Sequence, residues 1–350
     1  MLLKTLSEAR GVSGNEAAIR EILLPAVEPF IDEHRVDALG NLICLRKARR
    51  ERVAGGSERV LVAAHMDEIG LIITDINSDG SLRYAKVGGI DDRTLLSKQV
   101  LVGEKAVPGV IGFRPIHLIG RGGLEKKADI SQTVVDIGAS SKESAARLVQ
   151  VGDYVTFRTG FEVLAEDGLR CAKGKAFDDR VGCAVLVEAL QGDYAFDLYA
   201  VFTTQEEVGL RGARVAGYRI NPDIAIALEG TVCDDLPKEK DADVTPVTQL
   251  GHGPAVSYRD SSVICDKNLV RLITETAAAE GIPWQYRRSA VGGTDAGALH
   301  LVREGVRAAV ISVPCRYIHA PVSMVSLNDF DNAVRLVKAV LTHLEGGLEA

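Results

Sequence analysis

Cysteine, tryptophan and histidine are scarce in this chain, and charge of one sign accumulates nowhere. The six cysteines among 350 residues (Cys44, Cys171, Cys183, Cys233, Cys265 and Cys315) form no C-x-x-C pair, which excludes a zinc ribbon and a dithiol redox motif. They read as small buried apolar residues of a reducing compartment. No apolar run approaches the roughly 20 residues of a membrane span. The opening MLLKTLSEARGVSGNEAAIREILL carries a charge every few positions and lacks the apolar core of a signal peptide. A cytoplasmic protein without a membrane partner is expected. Lys and Arg (41) against Asp and Glu (48) leave a net charge of −7 with no long basic tract, which argues against a nucleic-acid partner.

What is present is the composition of a soluble globular protein, 46% hydrophobic and 25% charged, long enough for two domains. NEAAIREILLPAVEPF has helical spacing, and RVDALGNLICLRK alternates like strand around a turn glycine. SERVLVAAHMDEIGLIITDI holds the continuous apolar run of a strand buried on both faces. Between about 68 and 166 short β-like runs are punctuated by glycine, with one helix, SSKESAARLVQ, for which Ser140 and Glu143 suggest a capping box. From KGKAFDDRVGCAVLVEALQ onward an amphipathic helix, the strands DLYAVFTT, DIAIALEG and AAVISVPC, and the helices DKNLVRLITETAAAEG and DFDNAVRLVKAVLTHLE follow one another. This predicts an α/β fold, a mostly parallel sheet sandwiched by helices. The catalytic domain would be discontinuous, 1–67 and 167–350, with residues 68–166 as an inserted, small β-rich domain, barrel-like or PDZ-like.

Four apolar runs end in groups that can bind metal: VLVAAHMD in His65 and Asp67, LYAVFTTQEE in Glu206 and Glu207, DIAIALEG in Glu229, and AAVISVPCRYIH in His319. A fifth candidate, Asp178–Asp179 in AFDDR, sits where a helix begins. Active sites of open α/β sheets form beyond the carboxyl ends of strands. Carboxylates and imidazoles in this number suit a pair of zinc-like divalent ions, one carboxylate bridging. Two such ions acidify a shared water and polarise a carbonyl, which is chemistry for hydrolysis. Residues two apart on a strand share a face, so Asp67 can hold the far nitrogen of His65. Past the strand end the adjacent glutamates can diverge, one to a metal and one to the water.

AHMDEIG, KAFDDRVG, TTQEEVGLRGA, GGTDAG and IHAP, with DALGNL and GVIGFRPIHL besides, resemble the co-catalytic metallo-aminopeptidases that include glutamyl, deblocking and tetrahedral aminopeptidases. The resemblance spans nearly the whole chain. It implies that His65 and Glu229 are terminal ligands of one metal and Glu207 and His319 of the other, with Asp178 bridging. Glu206 would be the general base and Asp67 would orient His65. Thr294 and Asp295, in VGGTDAGALH, would border the substrate cleft. Relatives often have aspartate where this chain has Glu229, which leaves the inter-metal distance and metal preference open. Zinc is the default, with cobalt or manganese as alternatives. The resemblance also implies peptide substrates and a homo-oligomer in which the insert pairs subunits into dimers that build a tetrahedral dodecamer.

Related centres serve carboxypeptidases and N-acyl amino acid deacylases, and a cation such as Arg259 would suit a substrate carboxylate. A glycosidase using Glu206 with a second carboxylate leaves His65 and His319 without a task. A non-catalytic binding protein would not need the five ligand types. His34, His117, His252, His300 and His343 lack a strand-end context and read as ordinary surface or hydrogen-bonded residues, with His252 placed by the resemblance near a subunit contact or the cleft.

Overall fold

A computed structural model of the chain describes residues 1–51, 59–113, 117, 133–164, 166–237, 245–288 and 291–346. Among the described residues seventeen strands run in chain order: β1 (Glu33–Val36), β2 (Leu42–Arg46), β3 (Arg59–His65), β4 (Gly70–Ile76), β5 (Leu82–Val87), β6 (Gln99–Val102), β7 (Val107–Gly112), β8 (Val134–Asp136), β9 (Tyr154–Phe157), β10 (Glu162–Val163), β11 (Cys171–Gly174), β12 (Asp197–Thr203), β13 (Ile224–Cys233), β14 (Ala255–Ser257), β15 (Gln285–Tyr286), β16 (Arg307–Arg316) and β17 (Ser323–Ser326). The helices are α1 (Leu2–Glu8), α2 (Ala17–Val27), α3 (Lys142–Ala146), α4 (Phe177–Ala189), α5 (Arg211–Ile220), α6 (Lys267–Ala279), α7 (Ala296–Leu299) and α8 (Leu327–His343).

Eleven strands form one sheet in the order β1-β2-β12-β3-β13-β16-β17-β11-β10, with β14 and β15 branching from β16. The sheet is mixed rather than mostly parallel. Parallel pairing is confined to β12-β3, β3-β13, β13-β16 and the short β14-β15 pair; the flanking strands run antiparallel. The central strands are apolar throughout because both faces are covered. Val60, Val62, Ile224 and Ile226 join one buried cluster with residues of α1, α2, α4, α6 and α8. Leu61, Ala63, Ala225 and Ala227 join the other with Ala213 and Ala216 of α5 and Leu299 of α7. At the ordinary ~25 cal/mol per Å² of apolar surface, such double-sided burial dominates the stability of the centre.

Helix α4 is not amphipathic. Eleven of its 13 residues are buried, because it packs against β3 and β13 on one side and α1 and α8 on the other. Helix α6 starts where the Asp266 side chain accepts from the Asn268 and Leu269 N–H groups, and α8 where Ser326 accepts from the Asp329 N–H.

Strands β4-β5-β8-β7-β6-β9 close into a small barrel around Leu71, Ile73, Leu82, Val100, Ile111, Val135 and Val155. It leaves the large sheet at the end of β3 and returns after β9. Strand β10 lies within the 68–166 span yet pairs with β11 of the large sheet, so the barrel strands end at Phe157. The capping box of α3 is shifted by one residue from the expected one. Ser141 accepts from the Ser144 N–H at 3.2 Å, and Ser144 Oγ accepts from the Ser141 N–H at 3.0 Å, whereas Ser140 and Glu143 do not make it. Part of GVIGFRPIHL lies outside the described residues.

Candidate active site

The parallel strands β3, β12 and β13 deliver their carboxyl ends to one edge of the sheet. His65 is the last residue of β3, and Glu206 and Glu207 follow β12 by three and four residues. Glu229 lies inside β13 rather than at its end, since that strand continues to Cys233. Its ladder with β3 stops at Ala227, so the position is open on the β3 side. Asp178 opens α4 in a non-helical conformation, joined to Asp179 by a cis peptide. His319, at φ +57°, stands three residues past β16.

These segments bring six predicted residues together. His65 Nε2 is 3.4 Å from Asp178 Oδ1, 3.6 Å from Glu229 Oε2 and 4.0 Å from Glu206 Oε2. His319 Nε2 is 3.3 Å from Asp178 Oδ2 and 3.4 Å from Glu207 Oε1. Two triads result, His65–Asp178–Glu229 and Asp178–Glu207–His319, each with ligand atoms close enough to hold one ion. Asp178 belongs to both, one oxygen to each histidine.

The far nitrogens of both rings face carbonyl oxygens: His65 Nδ1 meets Asp67 O at 3.1 Å and His319 Nδ1 meets Gly89 O at 3.0 Å. With Nδ1 donating, the neutral ring turns the Nε2 lone pair toward the carboxylates. Lone pairs converging at such distances repel unless a proton or a cation lies among them, so the donor set fits divalent metal. Gly89 belongs to the β5–β6 connection, so the barrel supplies part of this site.

Electrostatics show the same need for positive charge. Burial, with neighbouring carboxylates, pushes Glu207 up to about 7 and Glu206 and Glu229 well above the usual carboxylate range. Burial alone would lower the two imidazoles, but Asp178 and the acids around them win, lifting His65 well above its ordinary value and His319 to about 9. Asp178 is held low against its burial by both imidazoles.

Asp67 faces the far nitrogen of His65 with two oxygens and carries further bonds besides. Its carboxylate is 3.4 Å from His65 Nδ1, farther than its own carbonyl. Shorter bonds go elsewhere: Oδ2 accepts from Ser13 Oγ at 2.6 Å and from the Glu207 N–H at 3.1 Å, and Oδ1 from the Glu206 N–H at 3.0 Å. Asp179, the second aspartate of FDDR, accepts from the His65 and Gly182 N–H groups.

Asp178, Glu206, Glu207, Glu229 and His319 line a cleft of about 740 Å³, and Thr294 borders it. Thr294 Oγ1 donates to Asp260 at 2.8 Å. Asp295 is not on that surface. It is buried, accepts from Thr203 Oγ1, and its N–H donates to Glu229 Oε1. Arg259 is exposed and does not line the cleft; Arg287 does, and its Nε donates to Thr231 Oγ1 at 2.9 Å. His252 lines a different pocket, with Trp284.

Sequence reading missed Ser13, Glu16, Asn41 and Arg287. The turn-forming GVSGNE was the available signal for the first two. Arg287 carried none, since its neighbours in the sequence look like an ordinary edge strand.

The sequence model of M42 glutamyl aminopeptidases matches residues 40–336. A lysyl aminopeptidase of Pyrococcus furiosus is 36% identical over 357 residues, covering 98% of this chain and 97% of the relative. The solved structure of a TET aminopeptidase from a marine-sediment Thaumarchaeota archaeon superposes with a TM-score of 0.90 at 36% identity, covering 97% of this chain and 95% of that one. The Pyrococcus horikoshii TET1 peptidase, described as assembling into a tetrahedron or a large octahedral shell, gives a TM-score of 0.85 at 36% identity, covering 97% and 98%.

Proposed function

We propose, from the premise that this chain belongs to the M42 glutamyl aminopeptidase family, that two divalent ions held by the paired triads serve its hydrolysis of peptides from the amino terminus. The chain is a metal-dependent aminopeptidase, a peptide-bond hydrolase. The observation that carries the two-ion reading is the sharing of Asp178 between two histidine–carboxylate triads on the cleft floor.

His65 and Glu229 would hold one ion, Glu207 and His319 the other, and Asp178 both. Four carboxylates, Asp178, Glu206, Glu207 and Glu229, are matched in charge by two divalent cations. Nitrogen and oxygen donors make zinc the default, with cobalt or manganese as alternatives. When bound, the ions supply Lewis acidity toward water and the scissile carbonyl. Glu206 takes the proton of the attacking water and gives it to the leaving amine. Its side chain is 12% exposed, against 4% for Glu207, which suits a group facing substrate beside one buried as a ligand. Asp67 holds the backbone of both glutamates, and Thr294 borders bound peptide, with Asp295 beneath it supporting Glu229.

Residues 1–67 and 167–350 are read as the catalytic domain, its central parallel strands between two helical layers, and 68–166 as the inserted dimerisation domain. Homo-oligomerisation is inferred from the assembling TET1 relative, with dimers that build a tetrahedral dodecamer the specific form. The reading is of a cytoplasmic enzyme acting on peptides; among the described residues no helix is long and apolar enough to cross a membrane. The test is metal quantification joined to paired peptides with free and acylated amino termini. Two ions per chain and cleavage of the free series alone are expected. Cleavage of the acylated series would favour the deacylase or carboxypeptidase alternative.

A further inference from the structure

Two adjacent glutamates on an extended chain point to opposite faces, yet Glu206 and Glu207 both reach the cleft. The cause lies in four successive backbone N–H groups, each taken by a side-chain oxygen from a distant segment. Thr204 N–H donates to Asn41 Oδ1 at 2.9 Å, Gln205 N–H to Glu16 Oε1 at 3.1 Å, and the Glu206 and Glu207 N–H groups to Asp67 at 3.0 and 3.1 Å. Gln205 sits at φ +57°, a left-handed conformation that a non-glycine residue keeps only where its surroundings hold it. The turn is thus fixed from outside.

Two of the holders trace to one hexapeptide, GVSGNE at 11–16. Ser13 Oγ donates to Asp67 Oδ2 at 2.6 Å, setting the rotation of the carboxylate that receives both glutamate N–H groups. Glu16 Oε1 accepts from the Gly14 and Gln205 N–H groups at 2.7 and 3.1 Å. Both side chains are buried. The hexapeptide is itself docked on the residue after Asp67: the Gly11 N–H donates to Glu68 Oε1 at 3.0 Å and the Ser13 N–H to Glu68 O at 3.3 Å.

We propose that Ser13 and Glu16 are positioning residues for the general base, locking the 204–207 turn so that Glu206 faces the reacting water. This rests on the reading of the site above. Neither residue touches a ligand atom of the two triads, so their effect passes through the turn.

The test compares purified, metal-loaded wild type with Ser13→Ala, Glu16→Ala and Glu16→Gln on an aminoacyl p-nitroanilide, with metal content by mass spectrometry and kcat followed against pH. Both alanine variants are expected to keep the wild-type metal content and KM within about twofold, while kcat falls about tenfold or more, as misplacements near 1 Å do. The acidic limb of the kcat profile should move with the altered surroundings of Glu206. Both bonds made by Glu16 use Oε1, so Glu16→Gln keeps them and should return kcat to within about threefold of wild type. Unchanged kcat in the alanine variants, loss of metal in step with activity, or a glutamine variant as impaired as alanine would each overturn the proposal. Should Glu16→Ala not fold, Ser13→Ala decides alone. Glu206→Gln is run alongside: full activity there defeats the reading of the site, whereas an inactive Glu206→Gln beside a normal Ser13→Ala defeats only this inference.

Discussion

Glu206→Gln and Glu207→Gln form a pair whose outcomes must differ if the two carboxylates divide as assigned. Either change replaces one carboxylate oxygen by an amide at constant shape, and the N–H bonds that set the turn are backbone bonds, so both side chains stay where they are. Glu206 Oε2 is 4.0 Å from His65 Nε2 and belongs to neither triad. Losing it should leave both triads intact and remove only the proton acceptor. General-base catalysis contributes about 10² to 10⁴ in rate, or roughly 3–5 kcal/mol at about 1.4 kcal/mol per tenfold. kcat should therefore fall by about that factor, with KM and metal content near wild type. Glu207 Oε1 is 3.4 Å from His319 Nε2 inside a triad, so Glu207→Gln should lower metal content first and recover part of its activity in excess metal.

The assay is initial velocity on an aminoacyl p-nitroanilide across metal concentrations, with bound metal measured on the same samples. The reversed pattern, metal loss in Glu206→Gln and retention in Glu207→Gln, would show the roles exchanged. Full activity with full metal in Glu206→Gln would remove it from the chemistry altogether.

Metal uptake at pH 7 should release protons, because Glu206, Glu207, Glu229 and His319 all hold protons more tightly than free side chains do; calorimetry in buffers of different ionisation enthalpy measures the number, and affinity should weaken as pH falls below 7. The metal-free protein should show the opposite slope in stability. Glu207 at about 7 and Asp295 at about 6 lie above their unfolded values, and His319 at about 9 lies above its own. The folded state therefore binds more protons, and Tm in chelator should fall from pH 5 to 8, while Tm in saturating metal should not. Lys175→Met removes the ammonium 2.7 Å from buried Glu68, leaving it Arg180 at 3.6 Å, and should cost less than the about 3–5 kcal/mol of a fully unpaired buried charge, read as a drop in denaturation midpoint. Gly212→Ala drives a methyl into Asn41 Oδ1 and the Thr204 backbone. About 1–3 kcal/mol of overpacking should come with reduced kcat, because Asn41 is the acceptor for Thr204; unchanged kcat would detach Asn41 from the turn.

Four of the candidate ligands, His65, Glu207, Glu229 and His319, were legible because each lies at or just past an apolar run that periodicity reveals, and Asp178 because it sits where a helix begins. His65 needed only the register of its own strand, whereas Glu207 and His319 lie four and three residues past theirs. Glu229 was legible as a residue but not as a position, since nothing in DIAIALEG says that β3 leaves the ladder at Ala227 while β13 runs on beside β16. The mixed sheet was hidden for a related reason: β11 and β17 are four residues each, and nothing local to either shows that they pair antiparallel with each other. Least legible was the turn that makes the site asymmetric. Thr204, Gln205, Glu206 and Glu207 read as strand followed by polar loop, whereas their geometry is written at Asn41, Glu16 and Asp67, between 139 and 189 residues away. Side-chain acceptors for backbone N–H groups carry no periodicity, and any Ser, Asn or Glu can serve. The doubled glutamate is therefore only half the instruction. The other half is a set of polar residues in the first fifth of the chain, brought by the fold to four consecutive amides or, for Ser13, to the carboxylate that receives two of them.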